Sequence, residues 1–366
     1  MALKCGIVGL HNVGKSTLFN CLSNAKAQSA NFPFCTIEPN VGTINVPDER
    51  LEKLEELVKP ERVVPTTVEI VDIAGLVKGA SKGEGLGNKF LGNIRETDAV
   101  LHVLRCFEDD NITHVDGDVN PVRDKEVIDT ELQLKDLETV TGALEKSRKK
   151  SKSGDKEAVR RTAFLEKIAG VLEEGKNARL VEAGNDDEVQ ILKELTLLTS
   201  KPVLYVCNVD EASVKSGNNH TKAVEEAVKS EGAGILILGA AIEADITELE
   251  TYEERQMFLE ELGLTEPGVN KLIKEAYKLL ELNTFFTAGV KEVRAWTFKR
   301  GSKAPQTAGV IHTDFEKGFI RAEVIKYDDF VELGSESACR DAGKLSVEGK
   351  EYVVQDGDVM HFRFNV

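Results

Sequence analysis

The stretch GLHNVGKS at residues 9–16 limits what this chain can fold into more than any other feature, because it matches the spacing GxxxxGK[ST]. A short apolar run, residues 3–8, precedes it, and an amphipathic pattern runs from Lys15 to about Ser23. Strand, glycine loop and helix is the context in which this spacing means phosphate binding. The glycines let the main chain wrap an anion, which the loop amides and the helix N-terminus attract. Lys15 reaches the outer phosphates and Ser16 binds magnesium. The expectation is a P-loop nucleoside triphosphatase with a nucleotide–magnesium ligand.

Further apolar runs at 67–73 (TVEIVDI), 99–104 (AVLHVL), 202–207 (PVLYVC) and 234–238 (GILIL) alternate with helical patterns. They predict a buried, largely parallel sheet in an α/β domain. At 366 residues the chain is too long for one typical core. Between 129 and 198 the apolar positions fit two helical stripes, Leu132, Leu137, Val140 and Leu144, then Phe164, Leu165, Ile168, Val171 and Leu172. The charged turn KSRKKSKSGDKE at 146–157 separates them, so two antiparallel, coiled-coil-like helices are predicted as an insertion. After 282 short strands are predicted at 290–297, 309–312, 319–325, 351–354 and 359–364, giving a small, mostly β domain. The division is a nucleotide-binding domain over 1–128 and 199–281, a helical insertion over 129–198 and a C-terminal domain over 282–366.

The motif DIAG at 72–75 ends the TVEIV strand. Asp72 can hold magnesium through water, and the Gly75 amide can meet the outer phosphate. Thr36, in the proline-bounded loop NFPFCTIEP, can complete the magnesium shell, which makes that loop a switch. The glycine-rich stretch at 78–87 reads as a second switch.

GTPases commonly read guanine with NKxD. The corresponding stretch here is NVDE, Asn208 to Glu211, in which Val209 replaces the lysine and Glu211 the aspartate. Adenine lacks the two guanine donors, so a site with this lesion loses less by accepting it, and Asn208 can pair bidentately with an adenine edge. Ala240 and Ala241, after the next strand, offer backbone contacts to the base. ATP is therefore predicted over GTP. Leu76 stands where many switch GTPases carry a water-orienting glutamine, and His114 is the best substitute among six histidines. Asn12 is a candidate for holding a potassium ion between the phosphates.

Charge narrows the partners. Forty-seven basic and 63 acidic residues give a net charge of -16, so no DNA partner is expected. Basic clusters at Lys146, Arg148, Lys149, Lys150 and Lys152, and at Lys291, Arg294, Lys299, Arg300 and Lys303, suit RNA phosphates. No apolar stretch is long enough to span a membrane. Six cysteines without a CxxC pair read as free thiols in a reducing cytosol. A metabolic phosphotransferase with the helical insertion as a lid is the alternative, and Arg160–Arg161 is its one suggestive pair.

Taken together, these motifs resemble the YchF family of Obg-like ATPases. The similarity runs through NFPFCTIEPN, VDIAGLVKGASKGEGLGNKFLGNIRETDA, RCFEDDNITHVDG, NVDE, AAIEA, FFTAGVKEVRAWT, HTDFEKGFIRAEVI and QDGDVMHFRFNV. The resemblance implies an OBG-type G domain, a helical insertion and a C-terminal TGS domain of β-grasp form. It also implies ATP hydrolysis, ribosome association, Asn12, Val13, Gly14, Lys15, Ser16 and Thr17 on the phosphates, and Ser16 and Thr36 as magnesium ligands. His11 departs from the family's usual proline, and Gly239 from a common serine.

Overall fold

A computed structural model describes residues 3–28, 41–73, 86–114, 117–152 and 154–365. The N-terminal part runs β1 (Lys4–Val8), α1 (Lys15–Gln28), β2 (Val41–Asn45), α2 (Glu49–Val58), β3 (Val63–Val64), β4 (Thr67–Asp72), α3 (Leu86–Arg95) and β5 (Ala99–Arg105). Three helices follow, α4 (Pro121–Ser151), α5 (Lys156–Glu173) and α6 (Asp186–Leu195). The chain then returns through β6 (Val203–Asn208), α7 (Asn219–Val228), β7 (Gly234–Leu238), α8 (Ala240–Glu248), α9 (Tyr252–Glu261) and α10 (Gly268–Leu279).

The first sheet has the order β2-β4-β1-β5-β6-β7. Only β2 is antiparallel, with Val41 opposite Val71 and Asn45 opposite Thr67; the other pairings are parallel. Every residue of β5 and β6 is buried, as expected of parallel strands covered on both faces. From β1 the sheet grows in both directions, so the loop after β1 opens at a switch point, where α/β sheets place ligands.

The predicted helical pair is present, but its first helix begins at Pro121 rather than near 129. Asn120 caps it by accepting from the Arg123 amide, and Pro121 occupies the first turn. Its first half buries Ile128 and Leu132 in the main core. Its second half buries Val140 and Leu144 against Phe164, Leu165 and Ile168 of α5. At 31 residues it is roughly 46 Å long, one rod shared by two cores. Buried Asp136 fixes it to the returning chain, accepting from the Leu198 and Thr199 amides at 2.8 and 2.7 Å.

The C-terminal part contains β8 (Leu282–Ala288), β9 (Val293–Lys299), α11 (Ala304–Ile311), α12 (Thr313–Lys317), β10 (Phe319–Ile325), α13 (Tyr327–Leu333), α14 (Glu336–Asp341), β11 (Leu345–Glu348) and β12 (Val359–Phe364). Its sheet has the order β11-β10-β12-β8-β9-β3. The last strand comes from the N-terminal half, with Val63 opposite Val293, and Leu51 and Leu54 of α2 pack with Phe286, Val293 and Phe330. Arg50 reinforces this junction, 2.7 Å from Asp356 and over the Phe286 ring.

Two predicted strands of this region are corrected. Residues 309–312 mostly form the end of α11, where Pro305 opens the helix and Ala304 and Ala308, four apart, face the core. Residues 351–354 contribute one bridge, Val353 to Lys303, and no strand. Four helices make the region mixed rather than mostly β. Among the described residues no helix is long and apolar enough to cross a membrane, and the five described cysteines are free and buried; Cys35 lies outside them.

Candidate nucleotide site

The loop between β1 and α1 adopts conformations that its sequence selects. Gly14 has φ +97, and a Cβ there would stand 2.3 Å from Asn208 Nδ2. Asn12 takes φ 61, a left-handed conformation that asparagine tolerates. Ser16 and Thr17 are exposed at the start of α1, whose first turn carries no acidic side chain. That helix end presents amides and positive dipole with no carboxylate from its own first turn.

Lys15 is buried, and its ammonium donates to the Leu10 carbonyl at 2.5 Å. Burial pulls its pKa down to about 8, while Asp72 pulls the other way. Asp72 sits at the end of β4, opposite Ile7 of β1. Burial pushes its carboxyl up and Lys15 draws it down. A partly desolvated carboxylate and an exposed serine hydroxyl beside Lys15 are hard oxygen donors, and this set suits magnesium. Thr36, Gly75 and Leu76 lie outside the described residues, as does most of the glycine-rich stretch.

The lowered Lys15 pKa has a consequence for pH. A bound phosphate favours the ammonium, so binding raises that pKa. Below about pH 8 Lys15 is already charged and affinity is flat. Above it, binding must take up a proton, and affinity falls by up to about tenfold per pH unit. Calorimetry at pH 9 in buffers of different ionisation enthalpy is expected to show proton uptake in the unchanged protein and none in Lys15→Met.

The base-side residues are corrected in part. Asn208 is buried; its amide nitrogen donates to the Val13 carbonyl at 2.9 Å and its oxygen accepts from the Ala240 amide at 2.8 Å. Both ends of the amide brace the phosphate loop against the start of α8, each using one of the two positions that end offers. The Ala240 amide is used in the same contact and is not offered to a base. Ala241 is exposed. Val209 is buried in the main core, its amide bonded to Leu238 O. Glu211 is exposed on a short 3-10 turn that Asp210 caps. Gly239 caps α8 without a side-chain bond, and a Cβ there would lie 2.9 Å from Ile242 Cδ1.

Residues 107–114 lie against the phosphate loop, with Asn12 Nδ2 donating to Thr113 O at 3.1 Å. Arg105, which the sequence reading passed over, organises them by donating to the carbonyls of Phe107, Asp109 and Ile112. Its signal was a charged residue closing a fully buried strand. His114 is also buried, with Nε2 at 2.8 Å from Asp124 Oδ2. Asp124 went unnoticed because nothing local ties a helical aspartate to a histidine ten residues earlier. Arg161, half of the pair behind the phosphotransferase alternative, bonds Glu194 at 2.8 Å.

Residues 4–135 match a family described as a 50S ribosome-binding GTPase. Residues 282–365 match the YchF-GTPase_C family, described as a protein of unknown function. The "Ribosome-binding ATPase YchF" of Pasteurella multocida is 56% identical over 366 residues, covering all of both chains. The chain belongs to the YchF family. The "Ribosome-binding ATPase YchF" of Bacillus subtilis is also 56% identical, over 368 residues and the whole of both chains. The "Obg-like ATPase 1" of Rattus norvegicus is 47% identical, over all of this chain and 93% of that one. A solved structure, the Schizosaccharomyces pombe YchF GTPase, superposes with a TM-score of 0.88 at 40% identity, covering 99% of this chain and 97% of that one. Names within the YchF family thus divide between ATPase and GTPase.

Proposed function

We propose that this chain hydrolyses ATP to ADP and phosphate, in preference to GTP, and acts as a nucleotide-controlled switch on the ribosome. The observation that carries this reading is the loop itself: exposed Ser16 and Thr17 and a buried lysine at the start of a helix without first-turn acids. The ribosome enters through relatives named ribosome-binding ATPases along the whole chain.

Amides of Asn12, Val13, Gly14, Lys15, Ser16 and Thr17 cradle the phosphates, and Lys15 neutralises the outer ones. Ser16, Thr36 and Asp72 would hold magnesium, which would supply positive charge against the outer phosphates. The Gly75 amide meets the outer phosphate. Val209 and Glu211 replace the residues that would select guanine, and Ala241 is left to supply backbone contact to the base. Asn208 braces Val13 and contributes its second amide hydrogen to the base. His114 orients the attacking water. Asn12 commits its amide nitrogen to Thr113, and its oxygen is the donor for potassium. The helical insertion over 129–198 and the TGS domain over 282–366 carry the basic clusters to ribosomal RNA, and the protein works in the cytoplasm.

Phosphate release from ATP and GTP, in potassium and in sodium, with and without ribosomes, tests the whole reading. ATP is expected to bind at least about tenfold tighter than GTP, a difference of about 1.4 kcal/mol. Tighter GTP binding would refute the base assignment, and equal rates in the two cations would remove potassium. Co-sedimentation with ribosomes is expected to fall as salt rises.

A further inference from the structure

At the end of the loop at 107–114, two neighbouring residues are held by different parts of the fold. Thr113 O accepts from Asn12 of the phosphate loop at 3.1 Å. His114 Nε2 lies 2.8 Å from Asp124 Oδ2, with the two side chains 3% and 1% exposed. With the carboxylate ionised it can only accept, which makes Nε2 the donor and the bond charge-assisted. Asp124 occupies the first turn of α4, where the helix end favours an anion. The Arg123 guanidinium, 3.6 Å from its other oxygen, adds to that. The imidazole is therefore packed against the base of the long helix and screened from solvent, while the residue before it touches the phosphate loop.

We propose that Asp124 is a positioning residue that holds the His114 imidazole retracted on α4, and that hydrolysis proceeds when this bond breaks and the ring turns toward the phosphates. The proposal rests on the reading of His114 as the group that orients water. It assigns the charge of Asp124 a restraining role: the carboxylate slows turnover in the resting protein.

Single-turnover hydrolysis of magnesium–ATP by the full chain tests this with Asp124→Asn, His114→Ala and the double variant. Asparagine keeps the shape and an acceptor but loses the charge, and a neutral bond is roughly half as strong. Asp124→Asn is expected to raise the rate roughly tenfold by enlarging the released population, with ATP affinity unchanged. In the double variant the rise vanishes. Diethylpyrocarbonate, read by mass spectrometry, is expected to label His114 faster in Asp124→Asn. In the unchanged protein it should label His114 at least about tenfold more slowly than His312, whose side chain is 60% exposed. This last comparison stands even if Asp124→Asn does not fold.

A fall in Asp124→Asn to the rate of His114→Ala, with affinity intact, would mean that the carboxylate orients the ring for catalysis, and retraction would be overturned. So would an unchanged rate with unchanged labelling, or equal labelling of His114 and His312 in the unchanged protein. Normal hydrolysis by His114→Ala would instead sink the catalytic reading of His114, and labelling would still report whether Asp124 holds the ring.

Discussion

Lys15→Met is expected to abolish nucleotide use while leaving the fold intact. Methionine keeps most of the buried stem and removes the ammonium. Among the described residues that ammonium's hydrogen-bond partner is the Leu10 carbonyl, and its charge is already disfavoured by burial. Removing it relieves a desolvated cation and leaves one acceptor unsatisfied, so the net change in stability is small, on the order of 1 kcal/mol. Its effect on ligand is of another size. A charge-assisted contact to phosphate contributes about 3 kcal/mol, so affinity for ATP falls by roughly a hundredfold. The same group meets charge that develops in the transition state, and its loss costs about a further hundredfold or more in rate. Titration with a fluorescent ATP analogue, single-turnover phosphate release and a thermal melt separate these effects. Unchanged ATP affinity in a well-folded Lys15→Met protein would remove the basis of the proposed function.

What could be read from the sequence follows how local each determinant is. The phosphate loop was legible because its glycines, lysine and serine lie within eight residues and the strand and helix flank them directly. The buried parallel strands were legible because β5 and β6 are mostly apolar runs, broken in β5 only by His102 and the closing Arg105 and in β6 by the closing Asn208. Asn208 was only half legible, for the opposite reason. Its motif is local and suggests a base reader, but its partners are Val13, 195 positions away, and Ala240, 32 away. Only the folded chain shows that both ends of the amide are used. The two-residue strand β3 carries no periodicity, and its pairing with β9 depends on bringing Val63 to Val293. The tail of α11 misled because GVI reads as a strand when the preceding proline and its capping contacts are not weighed. His114 was found by elimination among histidines, whereas Asp124, its partner, had no pattern to betray it.

The contact between Asn208 and the phosphate loop also supports the second large prediction, that Gly14→Ala destroys the site through its collision with Asn208. At φ +97 an alanine pays a backbone cost of about 1–2 kcal/mol. Its methyl would stand 2.3 Å from Asn208 Nδ2, so the amide must leave, stranding the Val13 carbonyl and the Ala240 amide. Each stranded buried group costs about 1–3 kcal/mol, for a total on the order of 5 kcal/mol. Asn208→Ala alone strands the same two groups and removes the obstacle. The double variant is therefore expected to be worse than Asn208→Ala by little more than the backbone cost, far less than the sum of the two single changes. Denaturant titration of the three proteins, alongside ATP binding, reads this coupling directly. If the two substitutions simply added, the loop would not be held through Asn208, and loss of ATP binding in Gly14→Ala would have to be ascribed to backbone strain alone.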